Sequence, residues 1–273
     1  MSDILSIDHT VLYTTDLETT AATYEALGFT LSPLSLHVGP DGPMGAGNRC
    51  ALFGGNYLEL LGLFGEEDPW QVKPLIATHE GLHGYSFGCA DPAAVERRLR
   101  AAGLSSSGVL PLQRDVRGGT ARFQAVHFER SRTPEGLVHV AHHLTPHLIH
   151  QPGYLTHPNG ALRLDGVLLV VDDGELEATV ARYAAMLDVE PARLMHLPLG
   201  WVEIVPESEF AGLLPGEEIP ALPYMAAQCV AVDDLAVARA LVEGGGFRTR
   251  DLPGGFFVGA AQARGAALTF VEA

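Results

Sequence analysis

Three times in this chain a hydrophobic run ends in an aspartate and a glycine follows twelve residues later: Asp16 to Gly28, Asp91 to Gly103 and Asp234 to Gly246. Each copy reads as a strand, an Asp that caps a helix, and a glycine that ends it in a left-handed turn. In the first copy the strand is Ile7 to Thr14 and the helix Leu17 to Leu27. Phe29, Leu104 and Phe247 follow the three glycines. A looser fourth copy runs from Gly166 through Asp172 and Asp173 into a helix over Glu175 to Leu187, with Asp188 where the glycine should stand. A repeated supersecondary unit limits the folds open to a chain more than any single motif does.

Further extended segments follow each helix. After Gly28 come Thr30 to Val38, the turn Gly39 to Pro43, Asn48 to Phe53 and Asn56 to Leu63, which makes the unit β-α-β-β-β. The second unit expects strands near Gly108 to Leu112, Ala121 to Phe128 and Gly136 to His143. Turn signals concentrate between Pro146 and Leu162, at Pro152-Gly153 and His157-Pro158-Asn159-Gly160. The sequence therefore predicts an α+β protein of four units paired into two domains of eight strands each. Residues 1–150 form the first (units 7–63 and 82–145), 151–161 a linker and 162–273 the second. A curled sheet has one face for its helix and a concave face that needs cover, so two placed side by side can enclose a pocket.

Composition removes several classes of partner. The chain has 17 Lys and Arg against 33 Asp and Glu, a formal charge of −16, which opposes binding to nucleic acid or an anionic membrane. With 47 % hydrophobic residues it can build a core. Cys50, Cys89 and Cys229 suggest neither a disulfide framework nor a CxxC site, and read as buried thiols in a reducing compartment. Residues Met1 to Leu5 lack a leader-like pattern and no run reaches membrane-spanning length, so a soluble, cytoplasmic protein is expected. Neither a phosphate-binding loop nor a serine nucleophile elbow is present.

Alternation then selects candidate site residues. In Tyr57-Leu58-Glu59-Leu60-Leu61, Leu58 and Leu60 share the helix-facing side and Glu59 points into the concavity. On the first strand Ile7, His9, Val11 and Tyr13 share a face, so His9 can meet Glu59. On the closing strand of unit two, His139, Ala141 and His143 face the pocket and His142 the other side. A His, a Glu and a second His from separate strands suit a divalent metal, whether Fe, Mn, Ni or Zn, with open positions. His37, Asn48 and Arg49 are expected at the rim, where the Arg49 fork could clamp a polar substrate group. Arg122 and His127 read as ordinary strand residues, and His147 and His150 as surface residues of the linker.

These units, the strand from His9 to Asp16, the segment Gly45-Ala46-Gly47-Asn48-Arg49 and the strand Asn56-Tyr57-Leu58-Glu59-Leu60 resemble the vicinal oxygen chelate superfamily, specifically its glyoxalase-like domain proteins. His143-Leu144-Thr145-Pro146, followed by His157-Pro158-Asn159-Gly160-Ala161, is similar to what such proteins carry after the second unit. The resemblance covers about Ile7 to Asp172. Beyond it, Trp201-Val202-Glu203-Ile204 places Glu203 where Glu59 stands in unit one.

The resemblance implies a metal held by His9, Glu59 and His143, with Glu59 a ligand or a displaceable base. Unit two departs from the pattern: the count that leads from Asp16 to His9 leads from Asp91 to Gly84, with His83 one residue out of phase. Gly166, Ala226 and Thr269 leave the C-terminal half without ligands. The implied activity is that of a metal-dependent lyase or isomerase on a small substrate with adjacent oxygens, stabilising an enediolate or related oxyanion. A metal-free protein that sequesters small molecules, like bleomycin-resistance relatives, and an extradiol dioxygenase are the alternatives. A homodimer is among the assemblies such chains form.

Overall fold

The computed structural model describes residues 3–39, 42–68 and 70–273; Pro40 and Asp41, in the expected turn after Gly39, lie outside them. Unit one supplies β1 (Ile4–Thr14), α1 (Leu17–Ala26), β2 (Ser35–Gly39), β3 (Gly42–Leu52) and β4 (Tyr57–Leu63). A short helix, α2 (Lys73–Ile76), leads into unit two: β5 (Gly81–Cys89), α3 (Pro92–Ala101), β6 (Ser106–Val116), β7 (Gly119–Phe128) and β8 (Leu137–His143). After α4 (Pro146–Ile149) comes unit three, with β9 (Ala161–Val171), α5 (Leu176–Leu187), β10 (Leu194–His196) and β11 (Trp201–Pro206). Next stands α6 (Glu207–Leu213). Unit four closes the chain with β12 (Tyr224–Val232), α7 (Leu235–Gly244), β13 (Thr249–Leu252), β14 (Gly255–Val258) and β15 (Ala267–Glu272).

The caps follow the sequence. Asp16, Asp91 and Asp234 each accept backbone N–H bonds from the first turn of the helix that follows. Gly28 takes φ +90°, and Asp188, standing in for the fourth glycine, takes the left-handed conformation at φ +56°. Aspartate is among the few residues besides glycine that visit this region readily.

Units one and two join edge to edge through antiparallel β1 and β5, giving an eight-stranded mixed sheet ordered β2-β3-β4-β1-β5-β8-β7-β6. Units three and four form a second mixed sheet, β10-β11-β9-β12-β15-β14-β13. It has seven strands among the described residues rather than the expected eight, because unit three has two strands after its helix instead of three. One continuous core runs behind both sheets, taking Tyr24 of α1, Leu99 of α3, Leu187 of α5 and Val242 of α7. Burying such side chains stabilises each by about 1.5–3 kcal/mol.

The segment joining the sheets is docked against unit one. His157 accepts the Thr30 N–H at 3.0 Å and bonds the Leu52 carbonyl at 3.0 Å, and the Asn159 amide donates to the Leu27 carbonyl at 3.0 Å. Asn56 reaches across the sheets and pairs with both the N–H and the carbonyl of Leu164. All three cysteines are free and buried, and burial pushes each thiol up to about 12. No described helix is long and apolar enough to cross a membrane.

Candidate active site

The site is built on a bulge. Ile7 pairs with Phe87 and His9 with Ser86, so Asp8 is an extra residue in β1. Simple alternation puts Ile7 and His9 on one face; the bulge separates them, sending Ile7 into the core and His9 into the concavity. It also brings the Asp8 carboxylate to His9 Nδ1 at 2.6 Å and to His143 Nε2 at 3.0 Å. Burial would raise the Asp8 carboxyl, but His143 and His9 outweigh it and hold it well below the usual carboxylate range.

Parallel pairing of β1 with β4 sets His9 beside Tyr57 and Val11 beside Glu59. The His9 and Tyr57 rings stack with centroids 4.4 Å apart, and His9 Nε2 stands 3.6 Å from Glu59 Oε2. The other carboxylate oxygen, Oε1, accepts the Asn48 amide and faces His37 Nε2 and Arg114 Nη1, each at 3.8 Å. Glu59 is 6 % exposed. Burial pushes its pKa up, but His9, Arg114, His37 and the Asn48 amide together hold it below its ordinary value, so it is a carboxylate at neutral pH.

Arg114 comes from the far edge of the sheet. The sheet curls until its edges meet, where the Ser35 hydroxyl donates to the Asp115 carbonyl at 3.0 Å, and the closure lays the Arg114 guanidinium beside Glu59. Arg49, the expected clamp, points away and bonds Glu25 at 2.7 Å and the Ser32 carbonyl at 3.0 Å. His37 and Asn48 do stand at Glu59.

Across β1 the floor is β5, whose site-level residues are Gly84 and Ser86. Gly84 has no room for a side chain, since a Cβ there would lie 2.8 Å from that of Val11. Over Ser86, the register partner of both, His9 and His139 meet edge to face at 5.3 Å, and His127 follows His139 at 5.1 Å. His139 is the register partner of Ser86, five residues before Asp91, just as Glu59 is the partner of Val11, five before Asp16. Position therefore equates His139 with Glu59. His143 lines the same cavity but turns its Nε2 to Asp8, and its Nδ1 is buried without a partner. His83 sits at a second bulge and bonds the His79 carbonyl at 2.8 Å, outside the cavity; His142 bonds the Cys89 carbonyl at 2.9 Å on the opposite face. His150 is half-buried, its ring 5.8 Å from that of His143, rather than a surface residue.

The cavity holds about 680 Å³ and is walled by both units. Burial drives His37 down to about 4 and His139 well below the ordinary imidazole range, so both are neutral donors. His37 Nε2, Arg114 Nε, His139 Nδ1 and His143 Nδ1, all on residues that line the cavity, are buried without hydrogen-bond partners, as are Asn48 Oδ1 beside Glu59 and Ser86 Oγ beside His9.

A divalent cation is the group that the resemblance implies here. Among the described residues no three His, Cys, Asp or Glu side chains form a ready metal cluster. The donor chemistry nevertheless fits. Two ligands bonded at about 2.1 Å and a tetrahedral angle stand roughly 3.4 Å apart, close to the 3.6 Å between His9 Nε2 and Glu59 Oε2. Asp8 occupies His9 Nδ1, the carboxylate support a ligating imidazole usually has, while Asn48 and Arg114 act on Oε1 and leave Oε2 to face His9.

The second sheet lacks these features. The indole of Trp201 lies over Gly166, in the space that His9 fills in the first sheet. Phe210, Leu214, Ile219 and Leu222 pack onto Leu168, Val170 and Val205, covering the face that is a cavity in the first sheet. Glu203 keeps Glu59's register position, and burial raises its pKa.

A family model described as glyoxalase-like domain matches residues 7–187. No curated protein matches the chain. A hypothetical protein from Staphylococcus aureus superposes over 99 % of this chain and 100 % of its own, at 13 % identity and a TM-score of 0.67. A mutant of 4-hydroxymandelate synthase from Streptomyces coelicolor matches 92 % of this chain and 78 % of its own, at 17 % identity and TM-score 0.62. A xylose isomerase-like TIM barrel/4-hydroxyphenylpyruvate dioxygenase fusion protein matches 92 % of this chain, which spans 40 % of the fusion, at 14 % identity and TM-score 0.58. At these identities the fold is what is shared.

Proposed function

The chain belongs to the glyoxalase-like domain family of the vicinal oxygen chelate superfamily, and from that premise we propose a metal-dependent lyase or isomerase that takes a small substrate with two neighbouring oxygens into the cavity of the first sheet. The observation that carries this reading is the pair His9 and Glu59, buried in the cavity wall with Asp8 behind the imidazole. His9, Glu59 and His139 would hold the cation, which when bound supplies Lewis acidity to the substrate's paired oxygens. The chain's own groups divide the remaining work. Asp8, held ionised, accepts a hydrogen bond from His9 Nδ1, which leaves Nε2 as the nitrogen that faces the cavity. Asn48 and Arg114 fix the Glu59 carboxylate in place, and a carboxylate ionised at neutral pH can accept a proton from a substrate beside it. His37 adds a neutral imidazole on the same side.

Chelator-washed protein reloaded with Mn, Fe, Ni or Zn and compared with Glu59→Ala tests the reading. About one metal per chain, lost in the variant, is the expected result; equal metal content in both proteins contradicts it.

Two other readings each have an observation in their favour. Arg114 already supplies a fixed positive charge beside Glu59, which suits a metal-free protein that sequesters a small molecule; ligand binding undiminished by chelator would support that reading. Two imidazoles and a carboxylate are also the donor set of non-haem Fe(II) oxygenases, and two of the similar structures carry synthase or dioxygenase names. Oxygen uptake by the Fe-loaded protein with a catechol panel separates this third reading.

A further inference from the structure

The groups that would handle a substrate's oxygens stand at the head of the cavity, His9 and His139 in one row and Glu59 in the next. From that second row onward the walls turn apolar: Val11 and Tyr13 follow His9, Leu61 follows Glu59, and Leu137 precedes His139. Register gathers them, because Tyr13 pairs with Leu61, Val11 with Gly84 and Gly84 with Leu137. Trp70 packs on this group, while Val72 and Ile76 back it. The opening is apolar as well. Val38, Leu112 and Leu144 line the cavity yet are 48 %, 44 % and 50 % exposed. Apolar side chains clustered in water at the mouth of a cavity mark a binding surface.

Size points the same way. At roughly 30 Å³ per non-hydrogen atom, the share of one water in the liquid, the cavity of about 680 Å³ holds on the order of twenty such atoms. An oxygen-bearing head alone would leave most of that space unfilled.

Resting on the reading above for the placement of the head, we propose that the substrate carries a medium-length alkyl chain or an aryl ring next to its oxygenated carbons. Its class is the α-oxygenated acid or ketone with an apolar substituent, seated between Val11, Tyr13, Leu61, Trp70 and Leu137. Sugars and phosphate esters do not fit that lobe, since their hydroxyls and charges would be buried against carbon.

Isothermal titration of the metal-loaded protein with straight-chain 2-oxo acids of about four to ten carbons tests the proposal. Affinity should rise roughly fourfold per added methylene until the lobe is full, the equivalent of about 0.8 kcal/mol per buried CH₂. Leu137→Asn should flatten that rise. Trp70→Ala, a change at a half-exposed position, should do the same. Affinity independent of chain length, or no binding by any acid in the series, would overturn the proposal. Glu59→Gln separates the two levels: it should weaken every acid by one common factor. A slope that persists while Glu59→Gln changes nothing supports the lobe and sinks the placement of the head; a common loss without a slope does the reverse.

Discussion

His9 on β1 and His139 on β8 touch edge to face, centroids 5.3 Å apart, although β5 runs between their strands. They meet over Ser86, the register partner of both, and beside it Gly84 keeps the floor of the cavity low. Refilling that floor should strain Val11 and the wall beside Glu59. A Cβ at Gly84 would lie 2.8 Å from the Val11 Cβ and 2.9 Å from its Cγ2, both on a β-branched side chain that cannot swing aside. Gly84→Val should cost about 1–3 kcal/mol, read as a lower urea midpoint, and weaken ligand binding further. An unchanged midpoint would show that the floor yields.

Glu59 and Arg114 form a buried pair with additional bonds on the carboxylate side. Removing one partner leaves the other charge in a low dielectric, so Arg114→Gln should destabilise by about 3–5 kcal/mol. Adding Glu59→Gln should return part of that loss. A double-mutant cycle with a coupling near zero would contradict the pairing.

Asn56 is 1 % exposed and clamps both backbone groups of Leu164. Asn56→Ala leaves two backbone groups without partners at the junction of the sheets. A loss of about 2–4 kcal/mol follows, at roughly 1–2 per unmet bond, together with faster proteolysis between the sheets. Chemical denaturation and limited trypsin digestion measure the two effects.

Acid should weaken the fold through its buried histidines. Burial holds His37 and His79 at about 4, against about 6.5 in an unfolded chain. Between those values the unfolded state binds protons that the folded state refuses, so stability falls as pH drops from about 6.5 toward 4 and is unaffected by these groups above 7. Each contributes a loss on the order of 1–3 kcal/mol. Urea midpoints at pH 7.5, 6 and 5 should decrease in that order, with a smaller decrease in His79→Gln; a flat series would contradict the assignment.

Much of this architecture is legible in the chain because it follows from local rules. The Asp caps, the glycine stops, the succession of strands and helix along a unit and the inward turn of Glu59 all come from spacing and alternation. Two kinds of information are not local. A bulge resets alternation: Asp8 looks like a residue on the helix side and instead joins His9 to His143. Sheet closure is the other. Arg49 and Arg114 are both strand guanidiniums, and nothing near Arg114 in sequence says that the two edges of an eight-stranded sheet will meet and deliver it to Glu59. Alternation gives His139 and His143 the same face, and only register separates them: Ser86, five residues before Asp91, pairs with His139 once β5 and β8 are side by side. The missing strand of unit three likewise left no mark in the Asp-to-Gly spacing.

In the proposed donor set His9, Glu59 and His139 stand together, with His143 outside it. Titrating chelator-washed protein with Mn(II) or Zn(II) and reading bound metal in His139→Ala and His143→Ala side by side tests that most directly. Loss of stoichiometric binding in His139→Ala, with His143→Ala retaining it within roughly tenfold in affinity, as expected for a residue acting through Asp8 behind a ligand, is the predicted result. Full binding in His139→Ala, or loss confined to His143→Ala, would contradict it.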